Sequence, residues 1–113
     1  MAKRLHRGDF AIQDYIDLHG FTADQARRAL DDFFTRSIRN SRLAVLVVHG
    51  RGRGSPGDPI LKTKVFEWLT RGAWRKWVIA FASARSVDGG AGATYVLLRR
   101  RPLPKKYHKN RNS

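Results

Sequence analysis

The stretch that constrains this chain most is an apolar run that opens directly into a loop of glycine and arginine, residues 43–57. Its first six residues, 43–48, are apolar and rich in valine, which is typical of a strand buried on both faces of a sheet. His49 and a Gly/Arg loop follow, and Asp58-Pro59 then predicts the start of a helix. Open α/β sheets bind ligands where such strands end, and glycine and arginine suit close contact with phosphate. The stretch therefore predicts a phosphate-binding loop at one edge of a sheet.

Charge is the second constraint. The 113 residues include 23 Lys and Arg but only 9 Asp and Glu, which gives a net charge of +14. Such an imbalance predicts attraction to polyanions, with nucleic acid as the leading partner. No basic amphipathic helix stands out, so no membrane partner is expected. The sequence has no cysteine, no signal peptide and no apolar run of membrane-spanning length, and we expect a cytoplasmic protein.

Hydrophobic spacing elsewhere predicts strands that alternate with helices. A capping box, Thr22 with Gln25, begins an amphipathic helix, and Gly72 ends a second one. In chain order, the predicted elements are strand 15–18, helix 23–38, strand 43–48, a helix between Asp58 and Gly72, strand 77–82, a turn at 86–92 and strand 93–98. This βαβαββ order predicts an α/β fold with one mixed four-stranded sheet and two helices. The first two strands are expected to be parallel and the last two antiparallel.

The same pattern predicts one domain over residues 10–100. Residues 1–9 are basic and polar and are expected to form a flexible arm. Residues 101–113 are expected to form a basic, disordered tail, because a segment of that composition buries too little apolar surface to fold alone. The tail is interpreted either as a solvated extension or as an electrostatic arm for nucleic acid, and the two are compatible.

Polar side chains end the two strands of the predicted βαβ unit. Asp17 and His19 lie two residues apart and so face the same side, and His49 ends the next strand. Because parallel strands finish at the same edge, we expect these three side chains to lie close together. An aspartate beside a histidine orients the imidazole for general acid–base catalysis near neutral pH. The alternative is that each histidine only closes a strand and hydrogen-bonds a loop.

Two glycine-rich segments supply the candidate substrate-binding residues. The first is neither a Walker A loop nor the dinucleotide fingerprint, and it is interpreted either as an anion site or as a linker. The second precedes the last strand and is interpreted either as a substrate contact or as a plain hairpin turn. The candidates are Gly50, Arg51, Gly52 and Arg53 in the first segment and Gly89, Gly90 and Gly92 in the second.

No metal site is predicted, because the acids near this edge do not form a spaced pair on one element. A two-metal nuclease normally shows several convergent carboxylates. No cofactor is assigned, and a single Mg²⁺ or Mn²⁺ held by Asp17 is left as an open alternative.

Three motifs in this order resemble the small MutS-related (Smr) domain. They are Asp17-Leu18-His19-Gly20 before a capped helix, His49-Gly50-Arg51-Gly52 after an apolar strand, and residues 89–94 before the last strand. The resemblance covers residues 15–100 and implies a two-layer α+β sandwich similar to the C-terminal domain of translation initiation factor three. No mismatch-repair ATPase region accompanies the motifs, so the chain resembles a stand-alone Smr protein.

The resemblance also implies nucleic-acid binding and, as in many members, endonuclease activity on DNA or RNA. Asp17 and His19 match the family's cleaving pair, and the loop that begins at His49 matches the one that serves the active site or the substrate. On RNA, His19 is expected to act as general base or acid and His49 as its counterpart, so that one activates the 2′-OH and the other protonates the leaving oxygen. On DNA, water must be the nucleophile, and this favours the help of a metal ion. A non-catalytic DNA- or RNA-binding module, associated with ribosomes or with repair, is the alternative.

Overall fold

The structure, a computed structural model, describes residues 2–7, 10–50 and 58–102. Its helices and strands are α1 (Ala2–His6), β1 (Asp14–Asp17), α2 (Ala23–Arg39), β2 (Ala44–Val48), α3 (Asp58–Arg71), β3 (Val78–Ser83) and β4 (Ala93–Leu98). Short 3-10 turns follow α3 and occupy the β3–β4 connection, where the sequence predicts a simple turn. None of the helices in the described part of the chain combines the length and apolar character that a membrane span requires.

The four strands form one mixed sheet in the order β1-β2-β4-β3. β1 runs parallel to β2, and β4 runs antiparallel to both of its neighbours, β2 and β3. The predicted fold class and the pairing within the first and last strand pairs are thereby confirmed. β4, the last strand in the sequence, lies inside the sheet and is almost wholly buried. β3 is only half buried and forms an edge.

The capping box predicted at the start of α2 is present. The Gln25 backbone N–H donates to the Thr22 hydroxyl at 3.2 Å, and the Thr22 backbone N–H donates to the Gln25 side-chain oxygen at 3.0 Å. These two bonds satisfy N–H groups that the first turn of a helix leaves without partners. They fix the start of α2 only a few residues after the end of β1.

The sheet is apolar on both faces. α2 and α3 cover one face and form the larger core with residues such as Phe34, Val65 and Val96. The other face is covered by the N-terminal segment, where Leu5 of α1, only 1% exposed, packs in a cluster with Tyr95. The expected flexible arm at residues 1–9 is therefore wrong for residues 2–6. The physical reason is that two helices cover one face, and the second apolar face needs a cover as well.

The three connecting loops of interest reach the same edge of the sheet. β1 ends there at Asp17 and β2 at Val48, which are register partners, and β4 begins there at Ala93 opposite Val48. β3 also ends there, because Ser83 pairs with Thr94. We call this the carboxyl edge. The Asp-x-His-Gly motif, the His-Gly loop and the second glycine-rich turn thus meet at one place.

Candidate active site at the carboxyl edge

Asp17 and His19 form a hydrogen-bonded pair at the end of β1. The Oδ1 atom of Asp17 lies 2.7 Å from Nδ1 of His19 and also accepts the His19 backbone N–H at 3.1 Å. The side chains are 46% and 72% exposed, so the pair is open to a large ligand. Because a carboxylate only accepts hydrogen bonds, Nδ1 carries the ring proton and Nε2 carries the lone pair in the neutral tautomer. The arrangement presents a base whose orientation is set by a carboxylate.

The carboxylate of Asp17 is held in its charged form. Partial burial raises its pKa, but the ring hydrogen bond, the backbone N–H bond and the charge attraction of His19 together lower it below the ordinary value. An ionised Asp17 stabilises a protonated His19, which is the state that a general base reaches after it takes a proton.

His49 is placed differently from His19. Its side chain is only 1% exposed, and both ring nitrogens have partners. Nδ1–H donates to the Gly50 carbonyl at 2.9 Å, and Nε2 accepts from the Thr94 hydroxyl at 2.9 Å. Burial lowers the pKa of His49, the Gly50 carbonyl raises it less, and the positive charge of Lys62 lowers it further. The ring is therefore neutral, and it joins the end of β2 to β4.

The backbone after His49 lies against the Asp17–His19 pair. Gly50 has a φ of +90°, and a Cβ built on it would lie 3.7 Å from the Cβ of His19. The structure thus brings Asp17 and His19 into contact and places the Gly50 backbone beside them. It turns the His49 ring into the protein. The expected roles of these residues in catalysis stay predictions.

The second glycine-rich turn is bonded to the His-Gly segment. The Gly92 carbonyl accepts the backbone N–H groups of both His49 and Gly50, each at 2.9 Å. Gly89 has a φ of +114°, and a Cβ there would lie 3.0 Å from that of Ala93. Backbone conformation therefore explains the glycine at position 89 without any ligand.

Of the remaining substrate-binding candidates, one lies within the described residues and three do not. Gly90 lies half-buried in the same turn and has a φ of +57°. Arg51, Gly52 and Arg53 lie outside the described residues. Contact between any of these residues and a substrate stays a prediction.

Thr94 is a site residue that the sequence argument missed. Its hydroxyl holds His49, and it is the one polar side chain in the otherwise apolar or aromatic run of β4. A polar residue within this apolar run is the sequence signal that could have identified Thr94. Tyr95 beside it fixes the preceding loop from the other face, since its hydroxyl donates to the Asp88 carboxylate and accepts the Arg85 backbone N–H.

Within residues 2–7, 10–50 and 58–102, no three histidine, aspartate or glutamate side chains are grouped closely enough to bind a metal ion. The alternative of Mg²⁺ or Mn²⁺ at Asp17 stays a prediction. The donor present there is one carboxylate that the neighbouring histidine already engages.

A mixed sheet whose carboxyl edge carries an Asp-x-His pair and a His-Gly segment defines a small α+β domain. Residues 16–99 match the family model of the Smr domain. The chain therefore belongs to the Smr domain family, as the resemblance of its three motifs indicates.

Similarity to known proteins supports this assignment. The chain is 36% identical over 96 residues to the ribosome rescue factor SmrB of Erwinia tasmaniensis, a match that covers 85% of this chain and 48% of that protein. This chain thus spans about half the length of that curated relative. Among solved structures, it is similar to YdaL, a stand-alone small MutS-related protein from Escherichia coli, with a TM-score of 0.72 and 29% identity, covering 86% of this chain and 72% of that one.

The Smr domain of Thermus thermophilus MutS2 is a second structural match. Its TM-score is 0.65 and its sequence identity 30%, and the match covers 77% of this chain and 99% of that domain. The four-stranded α+β fold is thus shared with two solved Smr structures.

Proposed function

We propose that this chain is an endonuclease that cleaves RNA at the carboxyl edge of its sheet. The observation that carries the proposal is the solvent-open pair of Asp17 and His19, joined at 2.7 Å. A base that is oriented by a carboxylate and exposed to a large ligand suits proton abstraction from a substrate hydroxyl. RNA carries that hydroxyl on its own ribose, next to the phosphate.

In the proposed reaction, Nε2 of His19 takes the proton of a 2′-OH, and the 2′ oxygen attacks the adjacent phosphorus. The bond from phosphorus to the 5′ oxygen breaks, and that oxygen takes a proton from solvent. The products are a 2′,3′-cyclic phosphate and a 5′-OH end. Asp17 stabilises the imidazolium that forms.

The molecule's charge supports a nucleic-acid substrate. Its net charge of +14 attracts a polyanion, and the arginines at positions 51 and 53 follow the His-Gly segment in the sequence. The relative from Erwinia tasmaniensis is named a ribosome rescue factor, which supports RNA over DNA and a partner on the ribosome. Association with ribosomes, and with it a cytoplasmic location, is part of the proposal.

His49 takes a positioning role in this scheme instead of the expected role of acid–base counterpart to His19. It is neutral and buried, and both of its nitrogens are engaged. It orders Gly50, which lies against His19. Replacement of His49 would then act on the reaction only through the geometry of this edge.

Site variants provide the test of the proposal. Labelled RNA is incubated with the wild type, Asp17→Asn and His19→Ala. Asp14→Asn is the matched control, because Asp14 lies on the same strand and is exposed. Loss of a general base is expected to slow cleavage by about 10²- to 10⁴-fold in His19→Ala. Asp17→Asn is expected to slow it as well, and Asp14→Asn should cleave as the wild type does. Equal cleavage by all four folded proteins would contradict the proposal.

A binding module without catalysis is the second candidate. It is favoured by the burial of His49, because that histidine is then not available as the acid–base counterpart of His19. Salt-dependent RNA binding without cleavage, in EDTA and with Mg²⁺ or Mn²⁺, would support this candidate. Cleavage of DNA only with metal would point instead to Asp17 as a ligand.

A further inference from the structure

A pocket of about 320 Å³ lies between α3 and the β3–β4 pair, on the face of the sheet that α3 covers. Its volume falls within the range of small-ligand sites, roughly 300–1,000 Å³. Thr94 lines the pocket, and the hydroxyl of Thr94 is bonded to His49. The pocket is therefore a neighbour of the carboxyl edge but is separate from the Asp17–His19 pair.

Aromatic rings form the apolar part of this pocket. Phe66 of α3 is 56% exposed although phenylalanine is normally buried. Its ring centroid is 5.6 Å from that of Phe81 on β3, and the two rings are nearly perpendicular at 84°. One ring supports the other while leaving aromatic surface open to solvent. Exposed aromatic rings of this kind stack unpaired bases in nucleic-acid-binding proteins.

Polar groups from two directions complete the pocket. Lys62 contributes an ammonium group from α3, and Ser83 and Thr94 contribute hydroxyls from adjacent strands, where they are register partners. A cation, two hydroxyls and aromatic rings match a nucleotide, which offers a phosphate, a base edge and a base face. A purely apolar ligand would make no use of the Lys62 ammonium group.

We propose that this pocket binds one unpaired base of the RNA substrate, close to the nucleotide that is cleaved. The base contacts Phe66, its edge bonds the hydroxyls of Ser83 and Thr94, and Lys62 contacts its phosphate. The inference rests on the proposed function, since it places the pocket and the Asp17–His19 pair on the same RNA strand. It also makes the substrate single-stranded at this point, because only an unpaired base exposes its face.

Binding to a short single-stranded RNA tests this assignment. His19→Ala is used as the background so that the RNA stays intact. Phe66→Ala is compared with Ile60→Ala, because Ile60 is on the same helix and 53% exposed but does not line the pocket. Stacking on an aromatic side chain corresponds to a loss of about 5- to 150-fold in affinity on truncation. That loss is expected for Phe66→Ala and not for Ile60→Ala. Phe66→Leu, which keeps the apolar volume without the ring, should also weaken binding.

An oligomer of the same length made of abasic sugar-phosphate units supplies the chemical control. Without bases, the Phe66→Ala and Ile60→Ala proteins should bind equally. For the cation, Lys62→Gln should weaken binding of both oligomers more than Lys64→Gln does, since Lys64 lies on α3 outside the pocket. Thermal unfolding of each variant checks that the fold is kept.

The outcomes separate the pocket from the proposed function. Equal RNA affinity of the Phe66 and Ile60 variants overturns the pocket assignment, and cleavage by the wild type then still stands. A Phe66 effect that persists on the abasic oligomer also overturns it, because Phe66 would act without a base. If the His19→Ala protein binds no RNA and the wild type cleaves none, both proposals fail.

Discussion

At the scale of single residues, two histidines that each precede a glycine have opposite environments. His19 is exposed and paired with a carboxylate, whereas His49 is buried and paired with a carbonyl and a hydroxyl. The first arrangement serves proton transfer in the proposed reaction. The buried His49 ring joins β2 to β4 and fixes the Gly50 backbone beside His19. The difference follows from position, since His19 follows an edge strand and His49 follows a central one.

The buried ring gives a prediction about pH. The folded chain holds His49 neutral, with its pKa below the ordinary value, whereas the unfolded chain protonates it below about pH 6.5. The unfolded state then binds more protons, so the stability contributed by His49 is present above that pH and is lost as the pH falls. For one group, the slope cannot exceed about 1.4 kcal/mol per pH unit.

Urea unfolding of the wild type and of His49→Gln between about pH 5 and 8 measures this contribution. The wild type should lose its advantage in free energy of unfolding as the pH falls. A difference between the two proteins that stays constant with pH would show that His49 is not held neutral.

At the scale of elements, local patterns identify strands and helices well because they reflect local chemistry. The capping box at Thr22 and the mainly apolar run of β4 depend on neighbours in the sequence. The parallel and antiparallel pairs follow from the connections between consecutive elements. The edge that carries Asp17 and His19 was predictable for the same reason.

Other features depend on residues that are distant in the sequence. The insertion of β4 between β2 and β3 depends on the relative burial of whole strands, which no local pattern states. The bond between His49 and Thr94 joins residues 45 positions apart. α1 has only five residues, and its docking depends on a sheet face that forms from the rest of the chain.

α1 gives the prediction at this scale. Leu5 is 1% exposed and packs in the cluster on the second face of the sheet. Leu5→Ala is expected to reduce the free energy of unfolding by about 2 to 5 kcal/mol, as for other buried leucines. Val87→Ala is the control, because Val87 is 80% exposed. If denaturant unfolding shows no difference between the two variants, the N-terminal segment is an unattached arm.

At the scale of the whole molecule, charge dominates the expected behaviour. A net charge of +14 on 113 residues predicts RNA affinity that falls steeply with salt. Residues 103–113 contribute four Lys and Arg to this charge. Each phosphate that is neutralised on a single strand contributes about −0.7 to the slope of log affinity against log salt.

Deletion of residues 103–113 therefore tests the predicted electrostatic arm. The slope should become shallower by up to about 3 if all four charges contact phosphates. Fluorescence anisotropy across a salt series measures it for the full and the shortened chain. An identical slope for both chains would mean that the segment does not contact RNA.

We propose that His19, oriented by Asp17, activates the ribose 2′-OH at the cleaved linkage. The most direct measurement uses an RNA with one main cleavage position, mapped first, and a second copy with a single 2′-deoxy sugar at that position. Both are incubated in EDTA, and the product ends are identified. We expect a 2′,3′-cyclic phosphate and a 5′-OH from the RNA, and no cut at the deoxy position. Cleavage at the deoxy position, or a 5′-phosphate end from either substrate, would contradict it, because water and not the 2′-OH would then be the nucleophile.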